Sequence, residues 1–315
     1  MAQMTGFDDG EEETVINLTV KPGMKQGWFG NAYGGYGSKD RYEGNAMVNR
    51  FVNNDQITFM GGANNTNNMG FSDLASTMFS GMGGGGGRRG GFGAGSGITS
   101  SGNAGLNFSK EFKPDKLTLG GNTRYSHSDN DARSKSDRQN ILPGDSSSYD
   151  NSEAMSRTKS DNFGVDFRLE WKPDTMTQLI FRPSFSLSHS MNDNFSDATT
   201  LDNERDTVNT NKSNNYSESN GYNLNASIDF SRKLNNKGRV FSATLSGGNS
   251  DSYSDGMNRS DIVYFNQTDA LKNSIIDQRS RYDNKGFNYR AYVSWVEPIG
   301  HNNFIQATYS ISQRK

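Results

Sequence analysis

Histidines and carboxylates are the residues of this chain that could bind a metal ion or carry out acid–base chemistry. The three histidines lie far apart and lack the spacing of metal ligands: His127, His189 and His301. Aspartates cluster at 129–131, 193–197 and 251–255, without the Asp-x-Asp-x-Asp-Gly pattern of a calcium loop. We predict no catalytic residue, no cofactor and no dedicated metal site. Metal binding near outer strand ends and incidental Ca2+ binding stay open as alternatives.

A glycine-rich stretch at 82–95 contains two adjacent cations, Arg88 and Arg89. A phosphate-binding glycine loop joins a strand to a helix and ends in Gly-Lys-Ser/Thr, and this stretch meets neither condition. Basic glycine-rich segments also bind RNA, but a net charge of −2 gives no sign of a nucleic-acid partner. We interpret the stretch as an extracellular loop. Arg88 and Arg89 are then candidate contacts for an anionic ligand or lipopolysaccharide, and a solvated linker is the favoured interpretation of the stretch.

The elements that carry these residues are predicted to be long strands. Residues 163–171 alternate bulky apolar side chains with Gly, Asp, Arg and Glu, and successive side chains on a strand point to opposite faces. The same alternation recurs at 104–108, 222–230, 241–246, 287–295 and 305–311. Such strands run about 9 residues or more, whereas soluble sheets average about 5–6. This length favours a wall with lipid on one side and water on the other.

Bulk composition fits that wall better than a soluble core or a disordered chain. Only 31% of the 315 residues are hydrophobic, yet 11% are aromatic, and disordered chains are poor in aromatics. No apolar run is long enough for a transmembrane helix, so any membrane crossing is by strands. The first ten residues show no signal peptide, from which we expect the natural start to lie upstream. Cysteine is absent.

Short polar turns and long polar segments alternate along the chain. Turns rich in Pro, Asn, Asp and Gly recur at 53–55, 113–116, 172–174, 235–238 and 297–300. Long segments rich in Ser, Asn, Asp and Gly at about 65–98, 129–158, 192–216 and 254–278 are predicted to be loops. The fold class is therefore all-β. We expect a transmembrane antiparallel up-and-down β-barrel with long extracellular loops, short periplasmic turns and about 11 of 22 strands, hence a partial barrel.

Two sets of strand residues follow from this model. Aromatic residues near the turn-side ends are predicted to form a girdle at the membrane–water boundary: Phe108, Phe112, Trp171, Phe181, Phe230, Phe241, Trp295 and Phe304. Charged residues of the polar phase are predicted to face the lumen, because Arg at the midplane of the lipid face costs about 2–4 kcal/mol: Asp166, Arg168, Glu170, Arg182, Asp229 and Arg290.

The N-terminal part carries a more specific pattern. The segments are 13–21 (ETVINLTVK), 27–37 (GWFGNAYGGYG) and 57–68 (ITFMGGANNTNN). Over residues 14–73 the chain resembles the plug-to-barrel junction of TonB-dependent outer-membrane receptors of the Bacteroidota outer-membrane β-barrel family. The resemblance implies that residues 1–26 are the end of a plug domain with its link to the barrel. Residues 27–315 would then be the N-terminal half of the barrel.

The resemblance also implies a function and a set of partners. We expect a fragment of an outer-membrane receptor and transporter that takes up a large ligand such as an iron chelate, glycan or peptide. Its partners would be outer-membrane lipid, an extracellular ligand whose identity the sequence does not encode, and a TonB-type energy-transducing complex acting through the missing plug region. The alternative is a non-transporting outer-membrane barrel that presents surface loops for adhesion or assembly. The expected location is the outer membrane of a Gram-negative, Bacteroidota-like cell.

Overall fold

The computed structural model describes residues 26–67, 97–141, 147–265, 273–299 and 303–315. Every regular element in these residues is a β-strand. The strands are β1 (Gln26–Gly37), β2 (Arg41–Val52), β3 (Asp55–Asn64), β4 (Ile98–Lys113), β5 (Leu117–Asn140), β6 (Ser148–Asp174), β7 (Thr177–Leu201), β8 (Thr207–Lys233), β9 (Val240–Tyr264), β10 (Asn273–Ile299) and β11 (Asn303–Arg314). Among the described residues no helix has the length and apolarity needed to span a membrane.

All eleven strands form one sheet in which each strand pairs with its neighbour in sequence. Every pairing is antiparallel, so the chain runs up and down across the sheet. The prediction of an all-β, antiparallel, up-and-down fold is confirmed. In the described residues β1 and β11 are the two edges and do not pair with each other, so the sheet is open.

Short turns join the strands at the edge where β2, β4, β6 and β8 end, as predicted. The turn between β2 and β3 has only residues 53 and 54, and Asn53 has a φ of 56°. Asp115 adopts a φ of 58° in the next turn at this edge. Asn and Asp tolerate this left-handed backbone better than other side chains do. In the turn after β8, Asn235 Oδ1 accepts hydrogen bonds from the backbone N–H groups of Lys237 and Arg239, each at 3.0 Å.

At the opposite edge the structure corrects three of the predicted long loops. Strands β5 to β10 continue through most of 129–158, 192–216 and 254–278, which leaves only 141–147, 202–206 and 265–272 between strands. The pairing continues to the tips, for example Asn140 with Ser148, and the register shifts once, between Thr200 and Leu201. Apolar alternation stops in these segments, but the backbone keeps its ladder because cross-strand polar pairs replace apolar ones. Most of the fourth predicted loop lies outside the described residues.

The two faces of the sheet differ in burial. We call the face that carries Leu106, Phe181 and Leu224 the outer face, and the face that carries Asn49 and Ser294 the inner face. All thirteen buried side chains of the described residues lie on the inner face: Asn45, Asn49, Thr58, Met60, Asn107, Asn122, Ser128, Ile180, Ser231, Val240, Ser260, Ser294 and Val296. The sheet therefore curves around a mainly polar interior.

Candidate functional site

Exposed apolar side chains form a belt on the outer face, which we call the apolar band. It comprises the outer-face residues of 117–125, 163–171, 179–187, 222–230 and 287–295, with their neighbours in register. Each segment covers nine residues of its strand. Leu224 is 49% exposed and Leu245 54%, and no described residue forms a second layer over them. This is the reverse of a soluble sheet, whose apolar face is covered.

Aromatic rings and ion pairs mark the turn-side edge of the apolar band. The Phe241 ring centroid lies 6.2 Å from that of Phe230 and 6.3 Å from that of Trp295. The Trp295 indole donates a 3.0 Å hydrogen bond to Glu297, and the Arg239 guanidinium lies 6.0 Å from the indole centroid. Arg239 Nε also donates to Glu297 at 2.8 Å, and this contact lowers the pKa of the Glu297 carboxyl. Rings with a polar partner on the turn side suit a membrane–water boundary.

Seven of the eight predicted girdle residues lie on the outer face, most of them near this edge, and Phe108 lies in the central row of the band, in register with Gly121. Six follow strict alternation: Phe108, Trp171, Phe181, Phe230, Phe241 and Trp295. Phe112 adjoins the irregularity between Glu111 and Lys113, and the Lys110 ammonium lies 5.7 Å from its ring centroid. Phe304 differs from the prediction. It pairs with Pro298 and so shares the inner face, because an offset of one residue reverses the direction of a side chain.

The six charged residues predicted to face the lumen all lie on the inner face, at the level of the apolar band: Asp166, Arg168, Glu170, Arg182, Asp229 and Arg290. Several of them are neutralised locally. Arg168 lies 3.1 Å from Glu170, and Arg182 forms an ion pair with Asp229.

Neighbouring polar groups extend these inner-face pairs. Arg124 lies 3.1 Å from Asp166, and the Thr244 hydroxyl donates a 2.7 Å hydrogen bond to Asp229. Arg290 is in register with Ser246 and Ser312. The six predicted charges are thus kept on one face and largely paired.

Beyond the apolar band, β5 to β10 extend as three strand pairs, which we call the projecting hairpins: 126–140 with 148–162, 188–201 with 207–221, and 250–264 with 273–286. Their outer face carries cross-strand ion pairs. Lys135 lies 3.0 Å from Glu153, and Arg157 Nη2 lies 2.7 Å from Asp129, whose carboxyl pKa is lowered by the hydrogen bond from that guanidinium.

The inner face of the projecting hairpins is almost free of charge. It is built from Ser, Asn, Thr, Ala and Gly with a few larger neutral side chains, and its charged residues on β5 to β10 are Arg138 and Asp150 near one tip, 3.2 Å apart. The segments that the sequence predicted to be loops therefore follow a second alternation, in which charged residues alternate with neutral polar residues. That alternation was the available signal for their strand structure.

Two histidines that are distant in sequence lie in the same row on the outer face. His127, Asp161 and His189 occupy one cross-strand row, on β5, β6 and β7. His127 Nδ1 lies 2.8 Å from Asp161 Oδ1. Within the described ranges no cluster of three or more His, Cys, Asp or Glu side chains has a geometry that could hold a metal ion. His301, Arg88, Arg89 and residues 1–25 lie outside the described residues, while Gln26 opens β1.

Two solved structures are similar to the chain over most of its length. One is the copper transporter OprC, which is 7% identical with a TM-score of 0.22; the match covers 92% of this chain and 61% of that one. The other is the ferric-catecholate import receptor Fiu from E. coli K12 in an open form, 8% identical with a TM-score of 0.21; it covers 94% of this chain and 70% of that one. This chain thus spans less than two thirds of OprC.

No protein-family model matches the chain, and no curated protein matches it in sequence.

Proposed function

We propose that this chain is part of an outer-membrane β-barrel of the TonB-dependent receptor class, which takes up a large ligand. The observation that carries the proposal is the apolar band. Nine residues at about 3.3 Å each extend roughly 30 Å along a strand, or about 23 Å in height at a tilt near 40°. Membrane-spanning strands need about 9–11 residues. An exposed apolar belt of that height fits a hydrocarbon layer.

The polar inner face supports a water-filled or plugged interior. Ion pairs such as Arg182–Asp229 lie on that face at the level of the band. Facing lipid, Arg at the midplane would cost about 2–4 kcal/mol. Facing inward, the same groups contact water or a plug formed by the preceding segment. From the sequence pattern of residues 14–73 we also propose that residues 1–26 are the end of a plug and that the protein is of Bacteroidota origin.

The open sheet supports a barrel that further strands complete. β1 and β11 each present an unpaired backbone edge in the described residues. In hydrocarbon, each unsatisfied N–H or C=O group costs several kcal/mol, so spanning sheets close. We propose that additional strands pair with both edges, consistent with about 11 of 22. The short turns then lie on the periplasmic side, and the projecting hairpins on the extracellular side.

Lipid contact is tested by tryptophan quenching. The native tryptophans, Trp28, Trp171 and Trp295, all lie on the outer face near the turn-side edge. In a background with all three changed to Phe, Leu224→Trp and Asn225→Trp place one reporter on each face. Both positions are exposed and adjacent. In vesicles with brominated acyl chains we expect strong quenching of the reporter at 224 only. Equal quenching at both positions would refute a lipid-facing band.

A second candidate function is a non-transporting barrel that presents surface structure for adhesion or assembly. The projecting hairpins favour it, because about 15 residues of β6 extend beyond the band, roughly 50 Å of strand. The genomic reading frame discriminates the two functions. An upstream plug and TonB-contacting segment supports uptake, and a frame without them supports adhesion.

A further inference from the structure

A cleft of about 500 Å³ opens on the outer face where the apolar band meets the projecting hairpins. It lies between two cross-strand rows. The lower row contains Phe163 and Leu187, which end the alternating apolar segments of β6 and β7, flanked by Tyr125 and Tyr222. The upper row is polar. The volume is within the range of small-molecule sites, which combine apolar walls with a few placed polar groups.

The upper row supplies hydrogen-bonding groups held in fixed positions. Asp161 Oδ1 accepts a 2.6 Å hydrogen bond from the Tyr125 hydroxyl and lies 2.8 Å from His127 Nδ1. These contacts, the tyrosine first, lower the pKa of the Asp161 carboxyl. On the next strands, His189 Nδ1 lies 2.7 Å from Asn220 Oδ1. The cleft therefore presents an ionised carboxylate, an imidazole and an amide above an aromatic floor.

These groups indicate the chemistry of the ligand. Carboxylate and amide oxygens accept hydrogen bonds from hydroxyl groups. The residues that line the cleft include two carboxylates, Asp161 and Asp251, and neither Lys nor Arg. The nearby Lys285 ammonium lies 3.6 Å from Asp251. Phosphate headgroups require cations that these lining residues lack, whereas a neutral sugar offers hydroxyl donors and a ring face that packs on tyrosine.

The position of the cleft indicates the source of that sugar. Its floor, Phe163 and Leu187, continues directly into the apolar band. On the orientation of the proposed function, on which this inference rests, this level is the outer headgroup region. We propose that the cleft binds the glycosyl headgroup of an outer-leaflet glycolipid, whose acyl chain lies along Phe163 and Leu187. The barrel then carries a specific lipid at a fixed point on its circumference.

Lipid retention tests the proposal. The natural full-length protein, with the strands that we propose complete the barrel, is reconstituted in phosphatidylcholine vesicles that contain equal amounts of a galactosyl diacylglycerol, phosphatidylglycerol and diacylglycerol. It is then extracted in mild detergent and analysed by mass spectrometry for bound lipid. We expect the galactosyl lipid to be enriched over both others. Asp161→Asn should reduce that enrichment about fivefold, the value of roughly one hydrogen bond. Tyr222→Ala should reduce it by a similar factor, because the sugar loses its ring contact. Tyr309→Ala, on the outer face of β11 and 69% exposed, is the matched control and should retain the enrichment.

Each other result overturns the assignment. Equal retention of phosphatidylglycerol excludes a glycosyl-specific cleft, and competition by free lactose as effective as that by the galactosyl lipid excludes a membrane source. Unchanged enrichment in Tyr222→Ala and Asp161→Asn places the lipid elsewhere. The tryptophan-quenching experiment distinguishes failure of the cleft assignment from failure of the proposed membrane orientation. If the reporter at 224 is quenched and no glycolipid is enriched, only the cleft assignment fails; if it is not quenched, the membrane orientation fails with it.

Discussion

A charge placed on the outer face at mid-band should destabilise the membrane-bound sheet far more than the same charge one residue away. Ala226 lies at the centre of 222–230 on the outer face, in register with Pro183 and Gly247. Asn225 is adjacent on the inner face, in register with Ser184. The variants Ala226→Arg and Asn225→Arg therefore share strand, charge and size of side chain, and differ in the face that receives the charge.

The expected loss of free energy follows from the depth of the substituted residue in the membrane. Ala226 is four residues from either end of the nine-residue segment, so an Arg there lies near the midplane, where the cost is about 2–4 kcal/mol. At about 1.4 kcal/mol per factor of ten, this is roughly a 30- to 700-fold change in the insertion equilibrium. An Arg at 225 enters a polar surface and should change the free energy by less than about 0.5 kcal/mol, as most surface substitutions do.

The assay is a urea titration of the full-length barrel in lipid vesicles, followed by tryptophan emission. Trp171 and Trp295 lie on other strands and are unchanged in both variants. The midpoint for Ala226→Arg should fall well below that of the parent, and the midpoint for Asn225→Arg should stay close to it. Equal losses in the two variants would refute the assignment of the faces. A greater loss for Asn225→Arg would reverse it.

Two further predictions concern the hairpins and a ring contact. The hydrogen bond from Arg157 lowers the pKa of Asp129 in the folded chain, so their interaction contributes stability above the ordinary Asp pKa of about 3.9 and loses it as pH falls through the folded-state value. Protection of the backbone amides of this hairpin against hydrogen exchange, measured relative to the intrinsic rate at each pH, should therefore fall below about pH 4, before it does in the apolar band. A Cβ at Gly121 would lie 2.7 Å from Phe167 Cδ1, so Gly121→Val should cost about 1–3 kcal/mol in urea titration. Gly247→Val, where the nearest atom lies at 3.4 Å, is the control and should cost less.

Sequence alternation predicted the strands well where one phase is apolar. Residues 222–230 have Leu224 and Ile228 in one phase and Asp229 in the other, and the register places these phases on opposite faces. Short turns were also predictable, because Asn53 and Asp115 are residues that tolerate positive φ. In both cases the information is local: side-chain polarity at a spacing of two, and backbone preference at single positions.

The outer halves of the hairpins were mistaken for loops because their alternation has no apolar phase. The contact between Lys135 and Glu153 can be recognised only when the strand register is known. Composition alone indicates that such segments are solvated loops. The row of His127, Asp161 and His189 was missed for the same reason. These residues are 28 or more positions apart in sequence, and only the pairing of three strands brings them together. Phe304 was misplaced by an offset of one residue.

The two alternations place a constraint on how this protein can change in length. Losing or gaining one residue inside a strand would reverse every side chain from that point to the next turn. In β6 such a shift would turn Phe163 and Val165 inward and bring Asp166 and Arg168 out to the acyl chains. We therefore expect natural length variants of this chain to differ at the hairpin tips, at 141–147, 202–206 and 265–272, or to add strand residues two at a time on both partners.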